Sequence, residues 1–579
     1  MTEQPTTEQP TVAEALARAL RRHGVTEAFG QSLPSAFFLA AAQLGIRQIS
    51  YRTENAGGAM ADGYARASGR VTVVGAQNGP AATLLVPPFA EAWKASIPVV
   101  GFVQDVATSG RDRNAFQELD HFELFRGCTK WVRQLTDPAR VDDYVDMAFT
   151  AATSGRPGPV VLLLPKDVLM APVPDTRARR SAALGRFPLD RTRPSAAAVS
   201  EAAQLLATAR NPLVIAGGGV HISGASGALS SLRDAASLPV ATTTMGKGAV
   251  SELHPLSVGV IGSFMGPTAP AHHLRGLVSS ADVILLAGTR TNENGTDAWQ
   301  LLPRDATYIS IDIDGGEVNR NYDAVRLPGD ALLTLKDLRD SISGMDLTLR
   351  SEAAAGLTAT IADGRARYVL DAGPLLTSAA SPVRPERVMA ELDRLLPDDA
   401  ITVADASYST IWMSCHLRAR RAGQRFISPR GLAGLGWGLP LALGAKAARP
   451  DAPVVCIAGD GGFGHVWAEL ETAVRERLAV TVIVLNNSIL GFQKHAELYN
   501  FGAHTSAIDF EPVDHAAIAR AVGATGVRIS DPADIGPALE KALASDTVTL
   551  LDVLTDPDAY PPITAWSGHD DILLERTQA

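Results

Sequence analysis

Three consecutive doubly wound α/β domains, each built on a parallel sheet, are the fold class this sequence predicts. Short apolar, β-branched runs recur along the chain with helix-length stretches between them, the pattern of strands buried on both faces by crossover helices. The runs fall into three groups separated by polar, proline-bearing segments, and 579 residues is too long for a single core but suits three.

The first group, residues 1–175, holds "VTVVGAQ" (71–77), "IPVVGFV" (97–103) and "PVVLLLP" (159–165) as strands. It ends at the basic stretch "DTRARRSAALGRFPLDRTRPS" (175–195), which reads as a linker. The second, residues 195–345, holds "NPLVIAGGG" (211–219), "PVATTT" (239–244), "ADVILLAG" (281–288) and "TYISIDID" (307–314), and "DAGPLLTSAASPVRPE" (371–386) closes it as another linker. The third, residues 384–560, holds "AITVAD" (400–405), "VVCIAGD" (454–460), "TVIVLNN" (481–487) and "TLLDVLT" (549–555). Residues 561–579 form a tail that either closes over a site as a lid or frays as a surface helix. The first and third groups share a strand-and-helix rhythm.

Composition narrows the function. With 46% hydrophobic and 20% charged residues the chain is a globular protein, and its net charge of −10 carries no basic excess, so a nucleic-acid partner is not expected. Cys128, Cys415 and Cys456 lie far apart without metal-ligand spacing, which argues against disulfides and zinc and fits a reducing cytoplasm. The opening "MTEQPTTEQPTVAE" lacks an apolar signal core, and no apolar stretch approaches the roughly 20 residues that span a bilayer, so neither export nor membrane insertion is expected.

Chemistry is concentrated in "GDGGFGHVWAELETAVRERLAVTVIVLNNS" (459–488). Asp460 ends one predicted strand; Gly461 and Gly462 let the backbone approach a ligand, and a helix beginning near Phe463 directs positive partial charge there. Asn486 and Asn487 end the next strand, beside the first if the crossover is right-handed. A carboxylate, an amide oxygen and a peptide carbonyl are hard donors that suit Mg²⁺ shared with phosphate oxygens. An isolated Asp-Gly is an ordinary turn. The asparagine pair at the following strand end shifts the balance towards a site.

This stretch resembles the signature of the thiamine diphosphate enzymes, Gly-Asp-Gly followed by a helix and a strand ending in Asn-Asn, with Asp460 and Asn487 27 positions apart. The resemblance implies that the side chains of Asp460 and Asn487 and the carbonyl of Ile489 ligate Mg²⁺. Gly461, Gly462, Leu490 and Gly491, with Ser407 and Tyr408 of "ADASYS" (404–409), would then meet the diphosphate. "YRTENAGGAMADGYARASG" (51–69) is similar to the segment carrying the glutamate that activates the pyrimidine ring, which implies that role for Glu54, with Thr53 in place of the usual histidine. "RGLAGLGWGLPLALGAKAA" (430–448) resembles the segment that wedges the cofactor into its bent form, implying Leu435 as the wedge and the Ala433 carbonyl as a pyrimidine acceptor. "QNGPAATLL" (77–85) is similar to the family's Ser-Gly-Pro-Gly-Ala-Thr loop and places Asn78 at the cofactor.

Within the family, "RNAFQELD" (113–120) resembles acetolactate synthases and their relatives, implying that Phe116 walls the reactive carbon and Gln117 donates to a developing oxyanion. Ala496 stands where acetolactate synthases usually carry a tryptophan, which implies a larger substrate, and Glu497 beside it is expected either to have a raised pKa and act as acid or base, or to be an exposed helical glutamate. In the middle group "IAGGGVHISGA" (215–225) and "ISIDIDGGEVNRN" (309–321) are similar to a nucleotide-binding fold. ADP, free or within coenzyme A, is implied at Gly218, Gly219, Arg290 and Asp312. FAD is not expected, because "GTRTNENGTDAW" (288–299) lacks the family's FAD-holding run. Arg418 and Arg421 either meet a phosphate or form a solvated basic face. Taken together the resemblance is strongest to 2-hydroxyacyl-CoA lyases, which implies an acyl-CoA thioester substrate cleaved to formyl-CoA and a ketone or aldehyde. An acetolactate synthase-like carboligase, or a 2-oxoacid or oxalyl-CoA decarboxylase, is the alternative. It also implies a homodimer or homotetramer with cofactor sites between subunits.

Overall fold

The computed structural model describes residues 9–174, 181 and 183–566. The first sheet contains β1 (Glu27–Phe29), β2 (Arg47–Ile49), β3 (Val73–Ala76), β4 (Val100–Asp105), β5 (Trp131–Gln134) and β6 (Val160–Pro165), paired in the order β2-β1-β3-β4-β6-β5. The second contains β7 (Pro212–Ala216), β8 (Val240–Thr242), β9 (Ser257–Val260), β10 (Val283–Ala287), β11 (Thr307–Asp312) and β12 (Ala324–Pro328), in the order β12-β11-β10-β7-β8-β9. The third contains β13 (Ile401–Ala404), β14 (Phe426–Ile427), β15 (Val454–Gly459), β16 (Thr481–Asn486), β17 (Thr525–Ile529) and β18 (Thr549–Leu554), in the order β14-β13-β15-β16-β18-β17. Every pairing between these strands is parallel.

Three parallel-sheet α/β domains are therefore what the chain forms. The first and third sheets have the same internal strand order, while the middle one has the order of a dinucleotide-binding fold. Central strands such as β6 and β16 are buried along their whole length because helices cover both faces. Packing divides the chain into two compact units: one takes in residues 1–190, 440–450 and 471–478, the other residues 191–439, 451–470 and 479–579.

Two sequence expectations need correction. The closing linker at 371–386 begins inside a helix, since the 29-residue helix Thr348–Leu376 runs through its first six positions, Pro374 included. The helix expected near Phe463 is split into a single turn, Asp460–Phe463, and a later helix, Glu469–Arg475; glycines at 461, 462 and 464 disfavour a continuous one. Part of the 175–195 linker and most of the C-terminal tail lie outside the described residues. Among the described residues no helix is long and apolar enough to cross a membrane.

Inside the first unit the helix Glu54–Ser68 meets residues 440–448 of the helix Gly438–Ala448 with no room for a side chain. A β-carbon at Gly63 would lie 2.1 Å from the Leu441 carbonyl oxygen, and one at Gly444 would lie 1.9 Å from that of Met60. Gly444→Ala is expected to cost at least ~1–3 kcal/mol through overpacking, read as a lower denaturation midpoint. Gly356→Ala, in the open middle of the helix Thr348–Leu376, should leave that midpoint unchanged or raise it.

In the second unit burial pushes His221 and His416 down to about 3 and His495 to about 4, so these three are neutral at pH 7. The unfolded chain binds their protons near pH 6.5 while the folded chain does not, so stability rises with pH between the folded and unfolded values. Acidification from about pH 6.5 to 4 is expected to destabilise this unit by about 1.4 kcal/mol per pH unit per histidine, with matching proton uptake on unfolding measured by calorimetry.

Candidate active site

Asp460 follows β15 and opens the one-turn helix, and it is buried. Burial pushes its carboxyl up to about 6, against the opposing pull of the Ser488, Gly461 and Asn487 peptide N–H groups; the Ser488 N–H donates to its Oδ2 at 2.8 Å. A buried carboxylate held only by peptide N–H groups, with no cationic partner among the interactions described, is placed to accept a cation. Register pairing of Gly459 with Leu485 sets the end of β15 beside the end of β16, which delivers Asn487. The two expected metal side chains are thus brought together by adjacent parallel strands.

The asparagine pair divides its work. Asn486 donates from Nδ2 to Asp552 Oδ1 at 2.8 Å and to the Val513 carbonyl at 3.0 Å, so it is structural. Asn487 is only partly buried, its Oδ1 making one long contact, 3.3 Å from the Ile489 N–H. Ser488 between them has φ 56°, and Ile489 bridges to Asp509, fixing the turn that carries Ile489, Leu490 and Gly491. The donor set of carboxylate, amide and peptide oxygen fits a hard divalent ion such as Mg²⁺.

Asp405, at the end of β13, went unassigned in the sequence. Its buried carboxylate accepts the N–H groups of Ala406 (2.8 Å), Gly436 (3.0 Å), Trp437 (3.1 Å) and Gly438 (3.3 Å), which ties down the loop bearing Ala433 and Leu435. Burial raises its pKa and these four donors oppose the rise. Gly462 is glycine because a β-carbon there would stand 2.2 Å from Asp405 Oδ2. Ser407 (φ 64°) and Ala433 (φ 61°) join Ser488 in left-handed backbone, strain of order 1 kcal/mol each that the surrounding hydrogen bonds hold in place.

These residues line one cavity of about 1190 Å³, shared by Ser407, Tyr408, Ala433, Leu435, Asp460, Gly461, Gly462, Asn487, Ile489, Leu490 and Gly491. Its far wall comes from the middle domain, where Arg275 pairs with Asp297 at 2.9 Å, a contribution the sequence did not reveal. Tyr408 is also held by its hydroxyl 2.7 Å from His495 Nδ1, another pairing not read in advance.

In the first unit Glu54 begins the helix Glu54–Ser68, whose cap Thr53 accepts the Ala56 N–H at 3.3 Å. Phe116 is 84% exposed, and Gln117 adopts φ 61°. Asn78, expected at the cofactor, is buried and directs its amide N–H groups to the carbonyls of Phe116 (3.1 Å) and Gln117 (3.0 Å).

At two places the structure takes the second of the two readings the sequence left open. Glu497 has a lowered pKa, because the Thr505 N–H (2.6 Å) and the Gln493 amide (3.0 Å) donate to it at the surface. Arg418 is taken by Asp393 (2.6 Å) and Arg421 donates to the Asp398 carbonyl (2.8 Å), so both serve the edge of the third domain. Arg425 is the arginine whose charge reaches His221, in the turn that begins at Gly218. Around that turn the Gly219 N–H already donates to the Gly288 carbonyl at 3.0 Å, and Arg290 acts on Asp312. Burial pushes Asp312 up to about 6.

Three family profiles match the chain along its length. They are the thiamine pyrophosphate enzyme N-terminal TPP binding domain at residues 10–124, the central domain at 199–338 and the C-terminal TPP binding domain at 405–553. The chain belongs to the thiamine pyrophosphate enzymes. Among individual proteins it is similar to a probable acetolactate synthase large subunit of Methanococcus aeolicus, 32% identical across 94% of this chain and 92% of the relative. The acetolactate synthase large subunit of Parasynechococcus marenigrum is 35% identical across 93% and 87% of the two chains. A sulfoacetaldehyde acetyltransferase of Castellaniella defragrans is 31% identical across 93% and 91%.

Proposed function

We propose that the protein is a carboligase of the acetolactate synthase type, taking a 2-oxoacid as acyl donor and joining its acyl group to a second carbonyl compound. The observation that supports this most is similarity over nearly the whole chain to acetolactate synthases, 31–35% identical, which favours the carboligase over the 2-hydroxyacyl-CoA lyase implied by local motifs. Bound thiamine diphosphate would supply a nucleophilic carbon and an electron sink. Asp460, Asn487 and the Ile489 carbonyl would hold Mg²⁺, while Ser407, Tyr408, Gly461, Gly462, Leu490 and Gly491 would receive the diphosphate at three helix starts. Leu435 and the Ala433 carbonyl would shape and orient the pyrimidine half. Glu54 would hold the proton that activates the pyrimidine, Gln117 would donate to oxygen as negative charge develops, and Phe116 would keep water away. Glu54, Phe116 and Gln117 would come from the second subunit of a homodimer or homotetramer.

The lyase remains a second reading on two observations. A cavity of about 1190 Å³ is more than a two-carbon acyl group fills beside the cofactor, and Ala496, packed against the neighbouring core, carries little bulk where the resemblance places a tryptophan. An acyl-CoA thioester would use that space, with Glu497, ionised at neutral pH, taking the 2-hydroxyl proton; ADP, free or within coenzyme A, would sit at Gly218 and Asp312 in the middle domain.

The test is purified protein with thiamine diphosphate and Mg²⁺, offered pyruvate or 2-hydroxyisobutyryl-CoA. Acetolactate is the expected product; formyl-CoA with none formed from pyruvate would transfer the assignment to the lyase. Glu497→Gln separates the two again: carboligation should stay within about threefold of the parent, whereas a lyase that depends on this base should slow by ~100-fold or more.

A further inference from the structure

We propose that Asp105 and His121 form a positioning pair for Gln117, acting through the loop Gln77–Gly79. The proposal rests on the reading of Gln117 as the oxyanion donor.

His121 opens the helix His121–Arg126 and is 1% exposed. Its Nε2 accepts the Gly79 N–H at 3.0 Å, which leaves the ring proton on Nδ1. That nitrogen stands 3.3 Å from Asp105 Oδ1, close enough for electrostatic attraction although it is not aligned as a hydrogen bond. Asp105, buried at the end of β4, is itself fixed by Arg111 (2.7 Å), the Gln134 amide (2.8 Å) and the Val106 N–H (2.9 Å). A carboxylate held from three sides thus sets the tautomer of a buried imidazole, whose free lone pair holds one peptide N–H.

That peptide belongs to the residue lying against Gln117. Gly79 has φ 65°, and a β-carbon there would be 2.8 Å from the Gln117 carbonyl oxygen and 2.9 Å from its Cβ. Its neighbours grip the same residue: Gln77 Nε2 donates to Gln117 Oε1 at 2.6 Å, and Asn78 Nδ2 donates to the Gln117 carbonyl at 3.0 Å. With its amide oxygen anchored by Gln77, Gln117 retains its NH₂ as the end able to donate. Its left-handed φ of 61° is unfavourable unless such contacts hold it. An apolar side chain could fill the space of His121, but only an acceptor satisfies the buried Gly79 N–H, so the pair's effect falls on loop placement.

A double-mutant cycle on the holoenzyme, run with whichever of the two substrates above turns over, tests this. His121→Phe is expected to lower kcat about tenfold, the scale of a small donor misplacement, with KM and thiamine diphosphate affinity within twofold. In the Gln117→Ala background the same substitution should cost less than twofold, and His121→Gln, which keeps an acceptor, should recover most of the rate. If His121→Phe fails to fold, Asp105→Asn gives the same cycle. Additive losses, or a parental kcat in His121→Phe, would overturn the positioning pair alone. A parental kcat in Gln117→Ala would remove the role of Gln117 and the pair with it.

Discussion

Asp460→Ala protein is expected to take up no thiamine diphosphate in magnesium buffer at concentrations that saturate the parent, a loss of more than ~100-fold in affinity by calorimetry. Asp460 is the only carboxylate in the proposed donor set, and Asn487 and Ile489 contribute neutral oxygens. The substitution has a second signature. A buried carboxylate whose partners are peptide N–H groups, pushed up to about 6 by burial, costs stability in the cofactor-free protein. The apo variant should therefore melt at the same temperature as the parent or higher, while losing the rise that cofactor and metal give the parent. A variant that still binds cofactor with parental affinity would place the metal elsewhere.

Glu54→Gln is expected to lower kcat by ~10²–10⁴-fold, the usual worth of a positioned proton-transfer group. Deuterium exchange at C2 of the bound cofactor should slow in proportion. Glutamine keeps the shape of the side chain and the start of the helix Glu54–Ser68, capped by Thr53, so cofactor uptake should stay within about tenfold. Parental exchange together with parental turnover in this variant would end the assignment of Glu54. Unchanged exchange with lost product would instead move its role to a later step.

The strands legible in the sequence were those buried on both faces. "VVCIAGD" and "TVIVLNN" match β15 and β16 to within a residue, because a central parallel strand must be apolar throughout. The edge strands β2, β5, β12 and β17 escaped notice because each leaves one or more residues exposed and carries no apolar run, and β1, β9 and β14 because they are only two to four residues long. At the site, Asp460 and Asn487 were legible because they end consecutive strands that a right-handed crossover sets side by side, and because the stretch between them resembles the family signature. Asp405 was not, since its meaning lies in peptide N–H groups some 31–33 positions later in the chain. The choice between the two readings of Glu497 was open in the sequence for the same kind of reason, its partners Gln493 and Thr505 being set by how one helix and the turn after it fold back.

Asp405 has its oxygens filled by peptide donors, which leaves Asp460 as the one carboxylate in the proposed donor set. A divalent ion resting on a single negative charge keeps a surplus positive charge, and a pyrophosphate group alone meets helix starts without the metal that would neutralise it. Each guest should then bind weakly by itself and tightly once the other has arrived, with equal reinforcement in both directions. A chelator that strips the metal should release the vitamin as well, and vitamin added in excess should raise the chelator concentration needed.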